Sequence, residues 1–269
     1  MPRVEQRLPG GNTGGAVRVG DTVRRLAGPW TPAVHALLTH LHSVGFDRCP
    51  WPLGLDELGR EVLSYMPGAW VGDHKPWPSW VHSDAALVDV GHWLRDFHAA
   101  AEGFTAPADA AWRGRGPSGE GTVICHNDAA PYNACWNRDG LVGFFDWDFA
   151  SPGTPEWDLA FTASAWVPLH ASRVAREEGF TAFDDRRRRL DTFLEAYGWP
   201  GDVEHLLLDT LPQRYVTHAE DIERLAAAGD PFFHALVAGG TVDAIHEALR
   251  ELPNVLAELE VLPPGRQDT

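Results

Sequence analysis

Apolar residues recur at Val34, Leu37, Leu38, Leu41 and Val44, the spacing of a helix that buries one face. Thr31-Pro32 opens it, with Thr as N-cap and Pro at the first helical position, and Gly45 ends it. Short extended runs precede it at Val4 to Leu8, Ala16 to Val19 and Thr22 to Leu26. Gly20-Asp21 joins the last two as a tight hairpin, and Gly10 to Gly15 form a loop with almost no side-chain bulk. Leu53 to Leu55 and Glu61 to Tyr65 predict a second hairpin. Pro67 to Ser79, rich in Pro, Gly and Trp, reads as a linker. Leu87, Val90, Leu94 and Phe97 then mark an amphipathic helix starting near Ser83. After a polar loop from Gly103 to Gly121, strands Thr122 to Cys125 and Leu141 to Phe145 bracket a polar stretch and are expected to form one hairpin. From about Glu156 the period is helical, with breaks near Pro168, Gly179, Pro200 and Gly229-Asp230-Pro231. The pattern predicts an α+β chain, a small sheet-plus-helix lobe followed by a larger helical lobe.

The 269 residues are 44% apolar and 22% charged, which suits one large globular domain or two modest ones. No apolar run approaches a membrane span, and the N-terminus lacks a secretory h-region. Cys49, Cys125 and Cys135 match no zinc spacing and read as buried thiols in a reducing cytoplasm. A formal net charge of −16 disfavours nucleic-acid and membrane partners and allows a cationic substrate. Arg186 to Arg189 reads as a solvated helix face. Lys75 is the only lysine.

The chemistry concentrates in Val123-Ile-Cys-His126-Asn-Asp128-Ala-Ala-Pro-Tyr-Asn133, followed by Leu141-Val-Gly-Phe-Phe-Asp146-Trp-Asp148. An H-x-D-x-x-x-x-N run follows one apolar strand, and an Asp follows another. Two strands in a hairpin would gather Asp128, Asn133 and Asp146 at one end of a sheet. Phosphoryl transfer needs such a set: a carboxylate beside the attacking hydroxyl and hard oxygens for Mg²⁺ on the phosphates.

These residues resemble the aminoglycoside phosphotransferase family, small-molecule kinases with a protein-kinase-like two-lobe fold. Pro155-Glu-Trp-Asp158-Leu-Ala is similar to the family's helix after the metal-binding Asp. Leu8-Pro-Gly-Gly-Asn-Thr-Gly-Gly resembles its nucleotide loop, and Glu61-Val-Leu-Ser-Tyr-Met-Pro-Gly68 its hinge. The resemblance spans residues from about 5 to 165. It implies a nucleotide-binding lobe over 1–66 and a catalytic, acceptor-binding lobe over 67–269. It implies Asp128 as catalytic base, Asn133 and Asp146 as Mg²⁺ ligands, and His126 as a structural brace. Gly11, Asn12, Thr13 and Gly14 would cover the phosphates of ATP or GTP, and the backbone at Ser64, Tyr65 and Met66 would hold the base. The acceptor would be a small-molecule hydroxyl, with antibiotics the leading class.

One corner departs from the family. Kinase-like enzymes pair a strand Lys with a Glu on the next helix. Here the strand reads Thr22-Val-Arg-Arg-Leu26, and the helix from Thr31 to Val44 has no acid. Arg24 is the first candidate for the Lys role and Arg25 the second, since alternation sends only one into the cleft. Two other readings compete with a kinase. One is a metal-dependent phosphoester hydrolase using His126, Asp128, Asp146 and Asp148. The other is a non-catalytic nucleotide-binding module.

Overall fold

The computed structural model describes residues 5–8, 15–72, 74–119 and 121–261. Its first sheet has five strands in the order β1-β2-β3-β5-β4, every neighbour antiparallel. These are β1 (Gln6–Arg7), β2 (Val17–Val19), β3 (Thr22–Arg25), β4 (Pro52–Leu55) and β5 (Glu61–Ser64). Helix α1 (Thr31–Ser43) lies in sequence between β3 and β4. Its expected cap is shifted by one residue. Trp30 is the N-cap, and Thr31 is the first helical residue, its Oγ1 accepting from the Gly28 N–H. Val34, Leu37, Leu38 and Leu41 are buried along one face, as their spacing requires.

Helix α2 (Asp84–Ala101) begins after Ser83, whose Oγ accepts from the Ala86 N–H at 3.2 Å. The expected hairpin of the 122–125 and 141–145 runs does not form. Strand β6 (Val123–Cys125) pairs with β9 (Ser151–Gly153), while β7 (Ala134–Asn137) pairs with β8 (Gly140–Phe144). The correction has a local cause. Asn137 Oδ1 accepts from the Asp139 N–H, closing a tight turn that β7 and β8 reach first. Nor is Pro67 to Ser79 a loose linker, because Ala69 and Trp136 exchange backbone hydrogen bonds at 2.7 and 2.8 Å. A Cβ at Gly68 would lie 2.5 Å from the Trp136 carbonyl oxygen, so only glycine permits this approach.

The remaining helices are α3 (Pro155–Trp166), α4 (Ser172–Glu177), α5 (Arg186–Tyr197), α6 (Val203–His205), α7 (Leu211–Ala227), α8 (Pro231–Ala238) and α9 (Thr241–Glu258). A π turn, Leu206–Thr210, connects α6 to α7. Among the described residues no helix is long and apolar enough to cross a membrane.

The chain divides into two compact units, residues 1–74 with 92–158, and residues 75–91 with 159–269. The first has an aromatic core of Trp93, Phe97, Phe144 and Trp147, all fully or almost fully buried. The second is helical and buries two members of the arginine run. Arg186 donates to the Pro168 carbonyl and Arg189 to the His82 and Trp166 carbonyls. Spacing by three puts both on the inward face of α5, where these carbonyls supply acceptors, so the run is not a uniformly solvated face. All three cysteines are buried thiols outside any disulfide.

Candidate active site

The loop leaving β6 is anchored from below by one carboxylate. Asp158, in the first turn of α3, is fully buried and accepts from the His126 N–H at 2.7 Å and the Asn127 N–H at 2.8 Å. His98 Nε2 adds a third contact at 3.1 Å. Burial alone would raise this carboxyl, but its hydrogen bonds and the neighbouring histidines outweigh that and hold it below the usual range. Asn127 takes φ of 65°, which Asn tolerates better than most residues, and its Nδ2 reaches the Phe149 carbonyl and Ser151 Oγ.

His126 is enclosed by Trp93, Phe144 and Trp147, the last with ring centroids 4.6 Å away. Burial pushes it down to about 4, so it is neutral near pH 7. Its Nδ1 accepts from the Asp128 N–H at 3.3 Å. It touches the loop's backbone rather than facing the Asp128 carboxylate, the geometry of a brace.

Asp128 is half-buried, with each oxygen engaged. Tyr132 donates to Oδ1 at 2.7 Å and Asn133 Nδ2 to Oδ2 at 2.8 Å. The short 3₁₀ turn over Pro131–Asn133 sets that approach. Because Asn133 commits Nδ2 to Asp128, its carbonyl Oδ1 is the oxygen left to meet a cation. The Asn133 carbonyl accepts from the Phe145 N–H at 3.0 Å, so Asn133 and Asp146 lie at the same end of the β7–β8 ribbon. Asp146 is left-handed at φ 60°, and its side chain is 46% exposed. One neutral and one anionic oxygen donor, with room for water, fit Mg²⁺.

The structure corrects the arginine expectation by one residue. Arg24 turns to Asp56 at 3.4 Å and to Thr22, not to Asp146 or Asp148. Arg25 instead reaches Glu61 through Nε, Asp146 through Nη1 at 2.7 Å and Asp148 through Nη2 at 2.6 Å. A one-residue slip reverses the faces of a strand, and Thr-Val-Arg-Arg has no apolar alternation to set them. The partner strand decides: Arg25 sits opposite Glu61, and Arg24 opposite Val62.

Glu61 is 1% exposed, and its other oxygen accepts from His35 Nε2 of α1 at 2.9 Å. Burial would raise this carboxyl, yet His35 and Arg25 hold it below the usual range. Asp148 also receives Arg113, whose guanidinium lies over Trp30. Burial, with Asp146 and Glu61 nearby, raises the Asp148 carboxyl despite Arg25. Neither Glu61, His35 nor Arg113 was expected from sequence. The available signal was an acid heading the apolar run Glu61-Val-Leu, where burial demands a partner.

The hinge residues close β5. Ser64 and Tyr65 direct their N–H groups to the Trp51 and Asp21 carbonyls, both at 2.9 Å, and Arg18 stacks on the Tyr65 ring. Met66 accepts from Cys135 Sγ through its carbonyl. Gly11, Asn12, Thr13 and Gly14 lie outside the described residues. The hydrolase set does not assemble as ligands, since His126 is walled by aromatic rings and Asp148 carries two guanidinium groups. His98, Cys125 and Asp158 also cluster, but Asp158 is occupied by backbone donors and Cys125 Sγ donates to the Thr154 carbonyl.

Comparison with known proteins addresses the family and the fold. Residues 101–193 match the phosphotransferase enzyme family. Over 198 residues, 71% of this chain and 73% of its relative, the sequence is 35% identical to the trifolitoxin immunity protein of Rhizobium leguminosarum bv. trifolii. A choline/ethanolamine kinase family protein from Mesorhizobium loti shares the fold with a TM-score of 0.56 at 16% identity, over 96% of this chain and 92% of that one. Spectinomycin phosphotransferase, solved with ADP and spectinomycin, matches with a TM-score of 0.55 at 10% identity, over 96% and 88%. The fold is therefore the protein-kinase-like one that the motifs implied. With this fold, the anchored loop and the 35% relative together, the chain belongs to the phosphotransferase enzyme family.

Proposed function

We propose that this phosphotransferase moves the γ-phosphoryl group of ATP or GTP to a hydroxyl of a small molecule. The observation that carries the reading is the Asp128–Asn133 contact at 2.8 Å within a loop anchored by Asp158. It puts a carboxylate beside an amide whose oxygen remains for a metal. Asp128 takes the acceptor's hydroxyl proton as the new P–O bond forms and the bond to the leaving nucleoside diphosphate breaks. Asn133 and Asp146 would hold Mg²⁺, which supplies charge neutralisation on the phosphates. Arg25 supplies the cationic side chain that Lys provides elsewhere. Its placement beside Asp146 and Asp148 favours an active kinase over a non-catalytic module.

Residues 1–66 form the nucleotide-binding lobe in this reading, with Gly11 to Gly14 over the phosphates and Ser64 to Met66 at the base. Residues 67–269 carry catalysis and the acceptor. One relative is named for immunity to trifolitoxin and one structure for spectinomycin, which supports a toxic small molecule as acceptor. A cytoplasmic location fits the nucleotide requirement.

The test is release of nucleoside diphosphate from ATP and from GTP, with and without Mg²⁺, over a panel of antibiotic and amino-alcohol acceptors. Acceptor-stimulated, Mg²⁺-dependent release is expected, and Asp146→Ala is expected to weaken the metal dependence. Metal-independent release, or phosphoester hydrolysis without nucleotide, would sink the reading.

A further inference from the structure

Arg25 has a support that differs from the usual one. Its cross-strand neighbour on β5 is Glu61, directly opposite in the ladder. The Glu61 carboxylate is almost fully buried between two donors, with Oε2 on Arg25 Nε and Oε1 on His35 Nε2 at 2.9 Å. Helix α1 has no acidic residue, and its His35 meets the same carboxylate that Arg25 meets. A buried carboxylate is strongly disfavoured without partners, so each donor depends on the other to keep Glu61 ionised and in place.

We infer that Glu61 and His35 are positioning residues for Arg25: strand β5 supplies the acid, and α1 transmits its own position through His35. The inference rests on the phosphoryl-transfer reading above, in which Arg25 meets nucleotide phosphate. The guanidinium is anchored through Nε by Glu61. Its two Nη groups, now on Asp146 and Asp148, form the end that faces the aspartates. A fork held at Nε and presented through Nη keeps the planar geometry that suits phosphate oxygens. Glu61 and His35 therefore act on nucleotide affinity through Arg25 and not by contact with nucleotide.

The experiment is a set of double-mutant cycles, read as MgATP and MgGTP affinity by calorimetry and as slow nucleotide hydrolysis, so that no acceptor is needed. Arg25→Ala is expected to weaken binding about ten- to a hundredfold. Glu61→Gln, close in shape, should cost about tenfold, and His35→Ala about three- to tenfold. His35→Gln keeps a donor for Glu61 and should recover most of the loss. The decisive result is non-additivity: with Arg25 already Ala, Glu61→Gln and His35→Ala should each add less than about twofold. A merely structural role would leave these losses undiminished, and additive losses overturn the inference. Melting curves identify variants that fail to fold, and the His35→Gln pair with His35→Ala keeps the test decisive if Glu61→Gln does not fold. If the unaltered protein binds no Mg-nucleotide, the functional reading falls and the inference with it. Binding with additive losses overturns the inference alone.

Discussion

The loop that carries Asp128 and the corner that carries Arg25 are built in opposite ways. In the loop the partners are close in sequence: Tyr132 and Asn133 reach Asp128 from four and five positions away. In the corner Arg25 meets Glu61 across 36 positions and Asp146 across 121. A short turn orders the first group with little loop-closure cost, whereas the second exists only once two sheets and a helix are in place. The loop also depends on one buried acid, Asp158. The corner balances Glu61, Asp146 and Asp148 against Arg25 and Arg113. A short loop thus holds the Asp128 carboxylate, while long-range pairing holds the Arg25 guanidinium.

The largest expected effect is at the loop. Asp128→Asn should lower phosphoryl transfer by about a hundred- to ten-thousandfold while leaving MgATP affinity within a few-fold. Single-turnover rates beside calorimetric affinities check this. Retained turnover would move proton transfer away from the loop and erase its side of the comparison.

Next is the anchor. Asp158→Asn leaves one oxygen to serve the two N–H groups of His126 and Asn127, and turns an amide donor toward one of them. The expected cost is roughly 2–4 kcal/mol of stability, seen as a lower urea midpoint with unchanged slope. An unchanged midpoint would mean that the loop supports itself.

The smallest effect sharpens the corner. Arg24→Ala removes the contact with Asp56 at 3.4 Å, a carboxylate that Arg60 also holds at 2.8 Å. Nucleotide affinity should change less than about twofold, in contrast with Arg25→Ala. If Arg24→Ala weakens binding and Arg25→Ala does not, the β3–β5 register in the working protein differs by one residue.

Where partners are close in sequence, their grouping was legible. The spacing of His126, Asp128 and Asn133, with Asp146 after an apolar run, identified a loop and a ribbon end that the structure brings together. The helical faces were equally plain, because Leu37, Leu38 and Leu41 must be buried together on any α-helix. The first two hairpins formed as read, but the pairing of the later strands was not legible. Thr122 to Cys125 and Leu141 to Phe145 both read correctly as extended, but extension does not specify a partner, and β6 and β8 joined different ribbons. The Arg186 to Arg189 run misled for a similar reason, since composition does not say which carbonyls await on the inward face.

What the sequence by itself determined is the set of elements, the close grouping of Asp128 with Asn133 and the family that these motifs imply, because each depends on residues within a few positions of one another. What only the tertiary structure decided is which arginine faces the aspartates and what supports it. Thr22-Val-Arg-Arg has no apolar alternation, so either face of β3 was open until Glu61 took the position opposite Arg25 and His35 closed on Glu61 from α1. Burial of a carboxylate requires partners, and those partners come from separate elements that meet only in the folded chain.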